Sequence, residues 1–247
     1  MAESYIVFDI ETVALDWESF SESQQEYLVR GAKTEEEILK KKSEMALYPL
    51  TSQVVCLGLQ FVEIDDDGIE SLKKIAYVMD NSVNDEEKKE IELSTEDKCF
   101  VASESKIISH FWKMITKYYK STLITFNGRN FDIPFLMLRS AILKIKPSKN
   151  LMSGTKFNYT GSSGHIDLID ELTFYNASSY GATKRFNFDF YTRAFGITSP
   201  KSEGVDGSKV AELYKEGKLK EIAEYCLRDV TATWELFKVW NEFLRFP

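Results

Sequence analysis

The stretch Ser4-Tyr5-Ile6-Val7-Phe8-Asp9-Ile10-Glu11-Thr12 constrains this chain more than any other. Its apolar run from Tyr5 to Ile10 reads as a buried β-strand, and two carboxylates interrupt it two positions apart. Side chains alternate faces along a strand, so Asp9 and Glu11 point the same way. Burying two like charges side by side is costly unless something compensates them. On this segment alone two readings stand open: a strand end emerging into solvent, or a site for a divalent metal.

The chain has 247 residues, 43% hydrophobic and 13% aromatic, enough to build one sizeable core. A formal net charge of −8 provides no global basic footprint. That argues against sequence-specific duplex binding, which depends on neutralising phosphates, and less against an enzyme that meets phosphates through bound cations. Cys56, Cys99 and Cys226 lie far apart without a CxxC pair, and the first and last sit in apolar-periodic stretches. They read as buried thiols, not as a disulfide frame or zinc site. With His110 and His165 as the two imidazoles, a histidine-rich metal centre is disfavoured. No run approaches the roughly 18 apolar residues of a membrane span, and the N-terminus enters a strand without a basic leader. A cytoplasmic protein with no membrane contact is expected.

Taken in order, residues 13–31 are polar and aromatic without clear periodicity. Thr34-Glu35-Glu36-Glu37 is a capping signature for a surface helix over 35–47. Strands are expected at 53–62 and 72–79, joined by the turn Asp65-Asp66-Asp67-Gly68, which lacks the spacing of a calcium loop. Residues 80–98 read as an acidic loop with at most one short strand. Ile107, Ile108, Phe111, Trp112, Ile115 and Tyr119 repeat at helical spacing and leave His110 off the stripe, on the surface. A short strand over 121–127, a break, and a helix over 133–143 follow, with Pro134 in its first turn. Residues 144–164 and 199–208 read as surface loops. Between them, 164–170 is a strand entering a helix, and Asn187 and Gly196 bracket a helix over 188–195. A short helix over 209–216 ends at Gly217. The longest pattern comes last: Ile222, Cys226, Val230, Thr233, Phe237, Trp240 and Leu244 make one stripe, with Tyr225 and Asp229 on its shoulder. Strands alternating with helices indicate an α/β fold, and without internal repeats residues 1–247 read as a single domain.

Four carboxylates stand inside or at the edge of apolar elements: Asp9, Glu11, Asp132 and Asp229. If the fold gathers them, cations must offset their repulsion, and an all-oxygen set suits Mg²⁺ or Mn²⁺. Two such ions serve in-line phosphodiester hydrolysis.

Phe8-Asp9-Ile10-Glu11-Thr12, Asn127-Gly128-Arg129-Asn130-Phe131-Asp132 and Tyr225-Cys226-Leu227-Arg228-Asp229 resemble, in order and spacing, the three motifs of DEDD 3′→5′ exonucleases. Tyr225 fits the tyrosine (DEDDy) form of the third motif, and Glu224 stands where the other form has histidine. Asn127 to Leu136 and His165-Ile166-Asp167-Leu168 resemble the proofreading exonuclease domain of family B DNA polymerases, and the chain looks like the free-standing exonucleases related to it. The resemblance covers roughly residues 4–240 and is weakest across 13–50 and 80–103.

It implies a ribonuclease-H-like mixed sheet of five or six strands, three antiparallel and then parallel ones, flanked by helices. It implies two divalent ions, Mg²⁺ or Mn²⁺, held by Asp9, Glu11, Asp132 and Asp229, with Tyr225 orienting the attacking water. By position, Asn127 would brace Asp132 or the terminal nucleotide, and Thr12 would contact the 3′ end. Phe131 is core or a stacking platform; Arg129, Lys184 and Arg185 are candidate phosphate contacts. Asp167 reads as a helix-capping carboxylate. The expected substrate is the 3′ end of single-stranded DNA, released as nucleoside 5′-monophosphates. An exoribonuclease and a non-catalytic nucleic-acid-binding module on the same fold are the alternatives. A polymerase or helicase partner that delivers the strand is a further expectation.

Overall fold

The structure, a computed structural model, describes residues 3–80, 82–83, 89–152, 164–200 and 207–245. Glu3–Ala14 forms β1. Ile6, Val7 and Phe8 are each no more than 1% exposed, so this strand is covered on both faces. Ser52–Ile64 is β2, antiparallel to β1 from Glu3 opposite Ile64 to Ala14 opposite Ser52. The register shifts after Glu11: Glu11 faces Cys56, whereas Thr12 faces Val54. Asp9 and Glu11 precede that irregularity and keep a common face. The Asp65–Gly68 turn, with Gly68 at φ +79°, leads into Glu70–Met79, β3, again antiparallel.

On the other flank, Thr122–Thr125 (β6) runs parallel to β1, and His165–Asp167 (β7) parallel to β6. Lys89–Glu92 (β4) and Lys98–Ala102 (β5) complete the far edge, giving the order β4-β5-β3-β2-β1-β6-β7. Three antiparallel strands followed by parallel ones are therefore present as expected. The sheet has seven strands, not five or six. The unforeseen one is β5: five residues beside an acidic stretch, too short to display a period of two.

Glu104–Lys117 (α3) buries Ile107, Ile108, Phe111, Trp112 and Ile115, as the 3–4 spacing requires, and Ser103 caps it at the Lys106 amide. His110 is not a plain surface residue: half-buried, it stacks on Tyr77 with ring centroids 4.9 Å apart. Leu219–Phe243 (α8) lays its stripe across β1, β2 and β3, where Tyr5 packs between Trp234 and Phe237. Its approach is close. A Cβ on Gly58 would sit 2.8 Å from Cys226 Sγ and 3.2 Å from the Cys226 carbonyl oxygen, and Gly58 is the residue opposite Asp9 on β2. A glycine at that point lets α8 rest on the strand beside the first acid.

Asp132–Ile142 (α4) is tied to α3 by a buried pair: Arg139 Nε and Nη2 donate to Glu104 at 2.8 and 2.6 Å. Glu104 also accepts the Val54 N–H at 2.9 Å, and Arg139 donates to the Pro49 carbonyl at 3.1 Å. Leu168–Leu172 (α5), Phe188–Ala194 (α6) and Val210–Lys215 (α7) stand close to where their caps place them. Asn187 caps α6, and Gly196 and Gly217 follow α6 and α7 at φ +72° and +71°. Near the N-terminus, Glu35–Glu44 (α2) matches expectation, whereas Glu22–Leu28 (α1) was not read from sequence. Its signal was there, a Ser21–Gln24 capping box ahead of a segment with no buried residue. Of the expected loops, 153–163 and 201–206 lie outside the described residues, as do 81 and 84–88 of the acidic stretch.

Candidate active site

Three elements gather one cluster of acids, of which Asp9 and Asp229 line a cleft while Glu11 and Asp132 are buried behind it. β1 contributes Asp9 and Glu11, the first turn of α4 contributes Asp132, and α8 contributes Tyr225 and Asp229. Pairing between β1 and β6 covers Tyr5 to Val7, and beyond it the Ile10 N–H donates to Asp132 Oδ1 at 3.0 Å. That bond joins the second motif to the first. Tyr225 and Asp229, one helical turn apart, hydrogen-bond to each other through their side chains.

The electrostatics of the site are those of acids gathered close together. Burial pushes the Asp9 carboxyl well up, and the charges of Asp132, Asp229 and Glu11 push it further. Glu11 is raised by burial and then by Asp229 and the Cys56 thiol. Asp132, 2% exposed, is pushed up to about 7 by burial, against the lowering effect of its own N–H and that of Ile10. Among the described residues, the leading influences on Asp9 and Glu11 are burial, neighbouring acids and the Cys56 thiol. The Tyr225 phenol is also raised, by burial first and then by Asp229, Glu11 and Asp9. It stays protonated at neutral pH and serves as a hydrogen-bonding group, not a base.

Such a donor set fits hard divalent cations. Carboxylate oxygens gathered this closely are stabilised by Mg²⁺ or Mn²⁺. Cys226 adds a group not foreseen. Its Sγ lies 3.9 Å from Asp9 Oδ2, and Asp9, Glu11 and Cys226 each present a ligand atom within 4.8 Å of the others. The thiol also hydrogen-bonds to Cys56, and burial holds it in the neutral form. Its place beside Tyr225 in the third motif was the available signal, which the apolar periodicity of α8 outweighed.

The remaining sequence-derived residues divide. A cleft of about 440 Å³ is lined by Asp9, Tyr225 and Asp229 together with Asn127, Phe126 and Phe188. Asn127 sits there in the left-handed region, at φ +66°. Asp167 maintains that turn: fully buried, it accepts the Asn127 and Arg129 N–H groups at 2.6 and 2.8 Å and caps α5 at Ile169. The capping role was expected; the hold on Asn127 was not. Thr12 is elsewhere, its hydroxyl donating to the Ala46 carbonyl at 2.7 Å. Phe131 packs on Phe135 with centroids 5.4 Å apart. The Arg129 guanidinium donates to the His165 carbonyl at 3.0 Å and approaches Asp170 at 3.9 Å. None of these three lines the cleft. Arg185 does, while paired to Asp170. Phe186, Asn187 and Phe188 also line it and were missed as site residues, although three alternate phenylalanines directly behind Lys184-Arg185 are visible in sequence.

A mixed α/β sheet that brings acids from a central strand and two helices to one site, with a phenol beside them, defines a class of carboxylate-centred domains. The chain belongs to the family described as predicted 3′-5′ exonuclease related to the exonuclease domain of PolB, whose sequence profile matches residues 70–244. DNA polymerase 1 of Pyrococcus abyssi is 31% identical over 144 residues, covering 56% of this chain and 18% of the polymerase. An uncharacterized protein of Methanocaldococcus jannaschii is 29% identical over 144 residues, 56% of this chain and 74% of that protein. The structure of the family B DNA polymerase from Pyrobaculum calidifontis matches with a TM-score of 0.54 and 19% identity, over 98% of this chain and 25% of that one. This last likeness concerns the fold, and it agrees with the ribonuclease-H-like architecture. The chain thus spans under a fifth of the length of the Pyrococcus polymerase it matches.

Proposed function

We propose that this chain is a 3′→5′ exonuclease of the tyrosine (DEDDy) type, using two divalent ions to remove nucleoside 5′-monophosphates from single-stranded DNA. The observation that supports it most is the set of buried acids, each raised by its acidic neighbours, with a protonated Tyr225 bonded to Asp229. Asp9, Glu11, Asp132 and Asp229 would hold the ions. Bound there, two cations supply Lewis acidity for water activation and for stabilising the departing 3′-oxygen.

The chain's own groups supply position. The Ile10 N–H fixes one oxygen of the buried Asp132 carboxyl. Tyr225 donates its proton to Asp229, so its oxygen lone pairs are available to accept a hydrogen bond from the attacking water. The left-handed turn at Asn127 places that residue on the cleft wall, where its amide can meet the terminal nucleotide. Phe126 and Phe188, 4.7 Å apart, make an apolar wall that accepts any base.

The preference for DNA rests on the polymerase relatives. Two further points belong to the proposal. A net charge of −8 favours delivery of the strand by a polymerase or helicase, because unaided capture of a polyanion is weak at physiological salt. Three buried free thiols suit a reducing, cytoplasmic compartment. No helix among the described residues is long and apolar enough to cross a membrane.

The test is digestion of 5′-labelled single-stranded DNA and RNA with Mg²⁺, Mn²⁺ or chelator, beside Asp9→Ala and Tyr225→Phe. A metal-dependent ladder on DNA, absent with Asp9→Ala and slowed with Tyr225→Phe, is expected. Faster digestion of RNA would favour an exoribonuclease. Clean binding of either polymer without digestion would leave a binding module.

A further inference from the structure

The wall of the cleft does not end at its mouth. Phe186 lines the cleft and is 41% exposed, and it packs against Phe190, 58% exposed, with centroids 5.0 Å apart. Lys184 places its ammonium 5.0 Å from the centre of the Phe186 ring. Deeper in, Phe126, Phe188 and Tyr191 form a second aromatic group with centroid distances of 4.7 and 5.4 Å, and these three are partly buried against the core. The inner group packs on the core and walls the cleft, and the outer one faces outward beside a cation.

Leaving two phenylalanine rings half-exposed forgoes part of the gain that burial would give them. One structural role is available. Phe186 precedes the Asn187 cap and Phe190 lies three residues after it, so the pair clamps the entry of α6. Any two apolar side chains would do that; flat rings next to a lysine offer more. The acid nearest in sequence, Asp189, is already engaged by Arg193 at 2.9 Å and by Ser199 at 2.5 Å, which lessens its repulsion of an approaching phosphate.

We propose that Phe186 and Phe190 are a stacking platform for the bases of a single strand that follow its 3′ end out of the acidic cleft, with Lys184 beside the backbone phosphates. The inference rests on the nuclease reading above. It identifies where a polymer, as opposed to a mononucleotide, gains its affinity. Base–aromatic stacking tolerates every base, as a non-specific exonuclease requires.

The test uses fluorescence anisotropy with a fluorescein-labelled, phosphorothioate-linked oligothymidylate in Mg²⁺, and steady-state hydrolysis of two substrates. One is the unmodified oligothymidylate; the other is the p-nitrophenyl ester of thymidine 5′-monophosphate, which fills the cleft alone. With Phe186→Leu and Phe190→Leu combined, which keep the clamp, affinity for the oligonucleotide should fall on the order of 5- to 30-fold. With Phe190→Leu alone, whose ring does not line the cleft, KM for the oligonucleotide should rise while hydrolysis of the ester does not change. Phe186→Tyr with Phe190→Tyr should restore binding. Lys184→Gln should flatten the salt dependence of binding. Unchanged oligonucleotide affinity in a folded leucine variant overturns the platform. If the double variant fails to fold, Phe190→Leu alone, at the more exposed ring, is held to the same affinity criterion. Wild-type protein that hydrolyses neither substrate sinks the nuclease reading instead, and wild-type activity with unaffected variants sinks the platform alone.

Discussion

Asp132→Asn removes one charge from the acid cluster and keeps an oxygen for the Ile10 N–H, so it isolates the electrostatic strain of the site. Burial is the main reason the Asp132 carboxyl stands at about 7 instead of 3.8. A raised carboxylate contributes stability that is complete below the unfolded value and is lost as pH climbs through the folded one. That interval corresponds to a ceiling of about 4 kcal/mol at pH 8, and sharing with the other acids leaves about 2–4 kcal/mol. For a chain of this size the Tm should rise by roughly 4–16 °C. Calorimetry of both proteins in chelator should show the asparagine variant melting higher at pH 8, with the gap closing toward pH 4. His165 acts in the opposite direction: buried, with its imidazole held down to about 3, it costs stability as pH falls below 6.5. It is common to both proteins and drops out of the difference. Millimolar Mg²⁺ or Mn²⁺ should raise the wild-type Tm more than the variant's. A variant that melts at or below wild type at pH 8 in chelator refutes the strained-acid account.

Three further predictions concern the scaffold. Gly58→Ala forces α8 off β2 and should cost on the order of 1–3 kcal/mol in chemical denaturation; Cys226→Ala alongside it should recover part of that loss, and strict additivity of the two would contradict the close packing. Glu104→Ala strands the buried Arg139 guanidinium and should cost about 3–5 kcal/mol, whereas pairing it with Arg139→Met should be milder; equal losses would deny the pair its role. Asp167→Asn turns an amide toward main-chain donors and should lower kcat while calorimetric affinity for divalent ions stays unchanged. A loss of metal affinity as large as that of Asp9→Asn would place Asp167 among the ligands.

The strand bearing Asp9 and Glu11 was legible because a period of two and two same-face acids are local facts. So were α3 and α8, whose apolar stripes run for several turns, and the caps at Asn187 and Gly196, where one residue type answers one backbone need. The short strand β5 was not, because five residues are too few to display a period of two. Asp132 and Asp229 could be named as partners of β1 by resemblance, but the bond from the Ile10 N–H to Asp132 depends on β6 stopping short, which no local pattern encodes. Thr12 and Arg129 show the converse limit. Both were named from motif position, yet their side chains satisfy Ala46 and His165 carbonyls, because a buried main-chain oxygen is a nearer partner than a substrate. Cys226 was read as a buried thiol and the Phe186–Phe190 pair was not singled out, since periodicity reports burial and is silent about neighbours across the fold.

The central claim is that the gathered carboxylates cut the terminal phosphodiester from the 3′ side. Its most direct test is the first product released from a single-stranded DNA labelled on its 3′-terminal nucleotide, in Mg²⁺ or Mn²⁺. The label should leave first as a nucleoside 5′-monophosphate, and chelator or Asp9→Ala should abolish its release. Release as an oligonucleotide, release as a 3′-monophosphate, or undiminished release from the Asp9 variant would contradict the account.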